Sequence, residues 1–207
     1  MGQALAGRGA LARAPPGVSV PPSPPLILAS TSPRRRAILE QLGVPFVVVP
    51  PAYEEADEDP VAHAVGKARS VEGAGRDQPV LGCDTEVLCG GRVYGKPENE
   101  AAAEEMLESL SGRTHEVVSG LALVTPAWEE VRREVTLVTF RALTPRDLAH
   151  YLASGEWEGR AGAYAIQGLG ASLVERIEGD YLNVVGLPAV LLVRLRAERF
   201  PGVYGFG

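Results

Sequence analysis

Three consecutive arginines, Arg34-Arg35-Arg36, follow Ser32-Pro33 at a point where a helix should begin. Ser32 reads as an N-cap, and Pro33 suits the first helical turn, where its missing N–H is not needed. A helix N-terminus already carries roughly half a positive charge, so each cation placed there costs about 0.3–1 kcal/mol. Such a stack makes sense if an anion docks against it and against the free backbone N–H groups, and phosphate is the usual occupant.

A second chemical element is Asp84, which ends the apolar approach Val80-Leu81-Gly82-Cys83. Burying a carboxylate is expensive without a partner, so Asp84 reads either as a general base or metal ligand near a strand end, or as a turn cap. Glu54 and Glu55 open an acidic loop running to Asp59. One of them could join Asp84 around a hard ion such as Mg²⁺, which takes oxygen ligands and bridges phosphates; the alternative is a solvated acidic surface. Lys67 and Lys96 stand out in a chain whose basic residues are mostly arginine. They are candidates for neutralising phosphate, with Lys67 otherwise a snorkelling edge residue. Gln167 lies within a run with glycines at 159, 162 and 168. Its amide offers the donor and acceptor that suit the O4 and N3–H edge of uracil or thymine, or it is a surface amide. Trp157 and Tyr164 would stack on a base or fill the core.

These residues must be positioned by an alternation of strands and helices. Leu26 to Ala29 reads as a short buried strand, followed by a helix from Ser32 that buries Ile38, Leu39 and Leu42 and stops at Gly43. Phe46 to Val49 reads as a strand. Asp59-Pro60 opens a helix with Val61, Ala64, Val65 and Ala68 inward and Lys67 at the edge of that stripe. Val80 to Leu88 and Arg92 to Tyr94 form strands about a Gly90-Gly91 turn. Glu98 to Ser111 is helical; His115 to Thr125 and Trp128 to Phe140 are long strands; Thr144 caps a helix to Ala153. Ser172 to Ile177 reads as a strand and Gly186 to Arg199 as the last helix. Hairpins mixed with helical crossovers predict an α/β fold on a mixed sheet. Residues 1–25 are rich in Ala, Gly and Pro without apolar periodicity and read as a mobile extension or as the product of start-site choice.

Composition narrows the function classes. A net charge of −6 over 207 residues gives no general attraction for nucleic acid or anionic membranes, so a bound polyanion must be small and held locally. No apolar run reaches the ~20 residues needed to cross a bilayer. Cys83 and Cys89 are too few for a disulfide framework and lack zinc-site spacing, so they read as free thiols of a reducing cytosol. There is no Walker A motif, Gly168-Leu169-Gly170 lacks the rest of a dinucleotide fingerprint, and His63, His115 and His150 sit in unrelated contexts that do not suggest a triad.

Leu26-Ile27-Leu28-Ala29-Ser30-Thr31-Ser32-Pro33-Arg34-Arg35 resembles the opening signature of the Maf family of nucleoside triphosphate pyrophosphatases. Gly82-Cys83-Asp84-Thr85, Gly95-Lys96-Pro97, Leu110 to His115, Ala161 to Gly168 and Val185-Gly186-Leu187-Pro188 resemble its later blocks, in the same order. The resemblance covers Leu26 to the last helix and implies a curved mixed sheet in two lobes with a cleft between them. It implies a cytoplasmic house-cleaning enzyme that splits a nucleoside triphosphate into monophosphate and pyrophosphate. The cofactor would be a divalent cation, Mg²⁺ or alternatively Mn²⁺. Asp84 would be the proton acceptor, assisted by Lys67, with Glu54 supporting the metal or the water. Ser30, Arg34, Lys67 and Lys96 would hold phosphates, Arg35 would also bind the substrate, and Arg34, Thr85 and Gln167 would bear on substrate choice. The Ala165-Ile166-Gln167-Gly168 block resembles the branch acting on dTTP and UTP, while the branch acting on 7-methyl-GTP typically carries a glutamate-bearing block there. Arg160 departs from the lysine of many relatives. A homodimer is compatible with the resemblance. A non-catalytic nucleotide-binding regulator would need the same phosphate site without the base.

Overall fold

A computed structural model of the chain describes residues 25–54, 59–71 and 78–200. The extension expected over residues 1–25 lies, save Pro25, outside them, as does Glu55.

Seven strands form one mixed sheet in the order β2 (Phe46–Val48), β1 (Leu26–Leu28), β3 (Val80–Cys89), β5 (Thr114–Val124), β6 (Glu129–Phe140) and β7 (Val174–Glu178), with β4 (Arg92–Tyr94) attached to β3. Strand β1 runs parallel to β2 and to β3. Parallel neighbours need crossovers, and these carry helices α1 (Pro33–Gln41) and α2 (Pro60–Arg69). The other pairings, through β4, β5, β6 and β7, are antiparallel. Gly90 and Gly91, at φ 60° and 81°, make the two-residue turn between β3 and β4, the left-handed geometry that tight hairpins favour. The expected α/β class with a mixed sheet is the observed one.

Strand alternation divides the core between two faces. Leu28, Leu81, Cys83 and Leu121 point into the main core. It is closed by α3 (Glu100–Leu110), α4 (Pro145–Leu152) and α6 (Ala189–Arg199), through residues such as Leu107, Tyr151 and Leu192. Ile27, Ala29, Val80 and Ala122 point the other way, against Ala64 and Ala68 of α2. Helix α4 begins with the expected Thr144, which forms a capping box with Asp147. Helix α3 is capped by Asn99, whose Oδ1 accepts the Ala102 N–H at 2.9 Å.

Three local readings are corrected. The last helix, expected from Gly186, is α6 and starts only at Ala189, and a short helix that was not expected, α5 (Tyr181–Val185), capped by Asp180, precedes it. Gly186 sits at φ 132° and Pro188 has no N–H to donate, so the helix cannot run through them. Residues from Gly168 to Leu173 form 3-10 turns, and β7 starts only at Val174. The buried stripe of α2 is rotated from the expected one: His63, Ala64, Lys67 and Ala68 are buried, while Val61 and Val65 are only half-buried. Lys67 is therefore an inward-facing residue, not an edge residue.

A cleft follows from the sheet's pairing. The β1–β3 ladder ends at Leu28–Leu81, and the β3–β4 ladder begins at Val87–Tyr94. Between them, residues 82–86 have one edge without a strand partner among the described residues, while β5 pairs their other edge throughout.

Candidate active site

That gap opens into a cavity of about 780 Å³, a volume typical of small-molecule sites. Ser30, Arg34 and Arg35 from the start of α1, Asp84 and Thr85 from β3, Lys67 from α2, and Lys96 and Gln167 from the opposite wall all line it. The sequence scatters these residues over more than half the chain, and the fold brings them to one space. Glu54 is exposed and is not among the lining residues, although its neighbour Tyr53 is.

Asp84 lies in the middle of β3 and not at its end, which removes the reading of a turn cap. Its carboxylate faces α2. A Cβ at Gly82 would collide with the Ala64 carbonyl oxygen, and one at Gly120 with the Pro60 carbonyl oxygen. The helix thus lies against β3 and β5 at a distance only glycine permits. Two residues one turn apart on α2 then reach the same carboxylate. Lys67 Nζ donates to Asp84 Oδ1 at 2.5 Å, and His63 Nδ1 lies 3.5 Å from Oδ2. The Asp84 side chain is 13 % exposed and that of Lys67 10 %. In such surroundings, removing one partner of an ion pair costs far more than the pair itself gains.

The arginine run divides its labour. Arg35 braces the cleft floor: Nε donates to the Gly186 carbonyl oxygen at 2.9 Å, Nη1 to Ser30 Oγ at 3.2 Å, and Nη2 to Thr85 Oγ1 at 3.5 Å. Arg34 lines the cavity. Arg36 turns to the outside, where its Nε donates to Glu40 at 2.9 Å across one exposed helical turn. The expectation that all three arginines share one site is thus corrected: Arg34 and Arg35 line the cavity, and Arg36 does not. Ser32 occupies the N-cap position without capping through its side chain; its own N–H donates to Ser30 Oγ at 3.2 Å.

The opposite wall is the glycine-rich segment. Gly162, at φ 68°, packs against Val87 and donates its N–H to the Gly95 carbonyl at 3.1 Å, tying this wall to the Lys96 loop. Tyr151 Oη accepts the Ala165 N–H at 2.9 Å. Tyr164 is almost fully buried, its hydroxyl 3.0 Å from His115 Nε2, and its ring meets Phe140 edge-on. Trp157 packs on the core and donates Nε1–H to the Leu152 carbonyl. Both aromatics therefore serve the core. Burial lowers the Arg160 pKa, yet a guanidinium remains a cation at neutral pH.

Sequence reasoning missed His63 and Glu86. His63, Asp84 and Glu86 each offer one ligand atom, all within 4.8 Å of one another. The two carboxylates suit a hard divalent ion such as Mg²⁺ or Mn²⁺, and the imidazole adds a nitrogen ligand better suited to a transition metal such as Mn²⁺ than to Mg²⁺. Glu54, expected to share the metal with Asp84, is not in this group. The available signal was spacing: His63 lies four residues before Lys67 on α2, and Glu86 lies two after Asp84 on the same strand face. Cys83 is no nucleophile candidate, since burial raises its thiol pKa.

The family model described as Maf-like protein matches residues 25–198. A dTTP/UTP pyrophosphatase of Moorella thermoacetica is 51% identical over 189 residues, covering 87% of this chain and 97% of that protein. One of Gloeobacter violaceus is 49% identical over 181 residues, covering 84% and 95%. One of Deinococcus radiodurans is 46% identical over 191 residues, covering 89% and 97%.

Proposed function

Because the chain belongs to the Maf family, we propose that it hydrolyses dTTP and UTP, and modified pyrimidine nucleotides, to the nucleoside monophosphate and pyrophosphate, an activity that serves house-cleaning of the nucleotide pool. The observation that carries this reading is the Asp84 carboxylate, held by Lys67 in mid-strand and facing the same cavity as Arg34 and the start of α1. That juxtaposition of a fixed proton acceptor with an anion cradle is what phosphoanhydride hydrolysis needs.

In this reading the triphosphate lies along the α1 N-terminus, with Arg34, Lys96 and the Ser30 hydroxyl around it. Arg35 supports this floor through Ser30, Thr85 and the Gly186 carbonyl. Lys67 fixes Asp84 through Oδ1 so that the carboxylate receives a proton from the attacking water. The water oxygen bonds to the α-phosphorus, the α–β bridging bond breaks, and the bridging oxygen leaves with pyrophosphate. Cations at Arg34 and Lys96 offset the charge growing on that leaving group. Asp84, Glu86 and His63 would hold a divalent ion, which supplies further charge neutralisation when bound. Gln167 faces the uracil or thymine edge. The enzyme works in the cytoplasm, and assembly as a homodimer is part of the proposal.

Pyrophosphate release from the canonical and methylated triphosphates, with Mg²⁺ present, tests the reading. Turnover should be highest on dTTP and UTP and nearly vanish in Asp84→Asn. Intact pyrimidine triphosphates after incubation with the wild type would refute it. Tight nucleotide binding without turnover would instead indicate a regulator, and preference for 7-methyl-GTP would move the chain to the other branch.

A further inference from the structure

Glu156 stands on the cavity wall, yet both of its carboxylate oxygens are turned to backbone. Oε1 accepts the Leu169 N–H at 3.0 Å and Oε2 accepts the Gly170 N–H at 3.1 Å. Gly168, at φ 74°, leaves open the space these oxygens occupy: a Cβ there would lie 2.5 Å from Oε1. Gly170 is equally specified, because a Cβ on it would collide with the Ala165 carbonyl oxygen. Glu156 is itself anchored, its N–H donating to Ser154 Oγ at 3.2 Å. A single carboxylate therefore clamps the turn that begins immediately after Gln167. A negative charge on the wall of a cavity that accepts a polyanion is unfavourable by itself. Its two bonds to amides, each charge-assisted, offset that.

We infer that Glu156 is a positioning residue for substrate choice: it holds the Gln167–Gly170 turn so that the Gln167 amide meets the pyrimidine edge in one fixed place. This rests on the reading of Gln167 as base-facing. A glutamine amide can present its oxygen and nitrogen in either sense. Telling uracil from cytosine, whose donor and acceptor pattern is reversed, thus requires a backbone that does not shift beneath it. Glu156 acts through that backbone and takes no part in proton transfer.

The test measures kcat and KM for UTP and CTP by pyrophosphate release in the full chain, for wild type, E156A, E156Q, Q167A and E156A/Q167A. E156A should raise KM for UTP about tenfold with kcat changed less than about threefold, and should cut UTP-over-CTP discrimination by about tenfold, as expected for losing a hydrogen-bonded contact to the base. E156Q retains one strong acceptor and should fall between E156A and wild type. The double variant should be no worse than Q167A, because the two residues serve one contact. If Q167A lowers discrimination while E156A and E156Q leave it intact, the inference is overturned and the base-facing role of Gln167 stands. Multiplicative losses in the double variant, or equal loss on UTP and CTP, would also overturn it, by assigning Glu156 a merely structural role. If Q167A itself leaves discrimination unchanged, the reading of Gln167 fails and this inference with it.

Discussion

Gly120 is the register partner of Asp84 on the adjacent strand, and its missing side chain clears the path by which α2 reaches that carboxylate. The Lys67–Asp84 bond of 2.5 Å is thus a consequence of a glycine that touches neither residue's charge. The geometry of this ion pair depends on how closely a helix may approach a sheet.

Gly120→Ala or Gly82→Ala should displace α2. Overpacking of this kind costs about 1–3 kcal/mol, visible as a lower urea midpoint. Because Lys67 moves with the helix, kcat should fall more steeply than that of a surface variant of equal stability.

Asp84→Asn keeps the shape and removes the proposed proton acceptor. Loss of a general base is worth about 10²–10⁴ in rate, so kcat should drop within that range. Nucleotide affinity, measured by calorimetry with a non-hydrolysable UTP analogue, should remain.

The arginine run should separate cleanly. Arg34→Ala raises KM for UTP at least tenfold in the proposed phosphate cradle, the scale of a charged hydrogen bond. Arg36→Ala removes only the exposed pair with Glu40; such pairs contribute about 0–1 kcal/mol, so kcat/KM stays within about twofold. Equal effects of the two variants would contradict this division.

Divalent-ion binding should follow the cluster on β3 and α2. Mn²⁺ titrated by electron paramagnetic resonance should bind the wild type, and Glu86→Gln or His63→Leu should weaken it about tenfold or more, as loss of a ligand does. Unaltered binding in both variants would place the ion elsewhere.

His115 imposes a pH dependence on stability. Burial lowers its pKa from 6.5 to about 4, so the folded chain keeps it neutral where the unfolded chain protonates it. The unfolded state then binds more protons between those values, and stability falls as pH drops from about 6.5 toward 4. The full effect is about 3 kcal/mol. His115→Phe should flatten the slope of Tm against pH in that window, although loss of the Tyr164 contact lowers Tm at neutral pH.

Elements that announce themselves by local chemistry were legible in the chain. The α1 start, the Thr144 cap, the Gly90-Gly91 hairpin and the long β5–β6 pair all appear where their residues predict them. The ordered motif blocks contain Asp84, Lys96 and Gln167, and the cavity brings these together with Lys67. The α2 stripe was misread because hydrophobic periodicity assumes that charges face water. Here Lys67 and His63 face inward, toward a carboxylate supplied by β3.

By itself, the sequence determined the alternation of elements and, through its ordered motif blocks, the family; its cations and its Asp84 carboxylate pointed to the chemistry proposed above. Only the tertiary structure decided which arginine turns away, that His63 and Glu86 lie beside Asp84 while Glu54 does not line the cavity, and that Glu156 braces the Gln167 turn. The reason is physical. Caps, turns and periodicity are set by neighbours a few residues apart. Ion pairs and braces depend on side chains that meet only after strands register and a helix settles onto glycine.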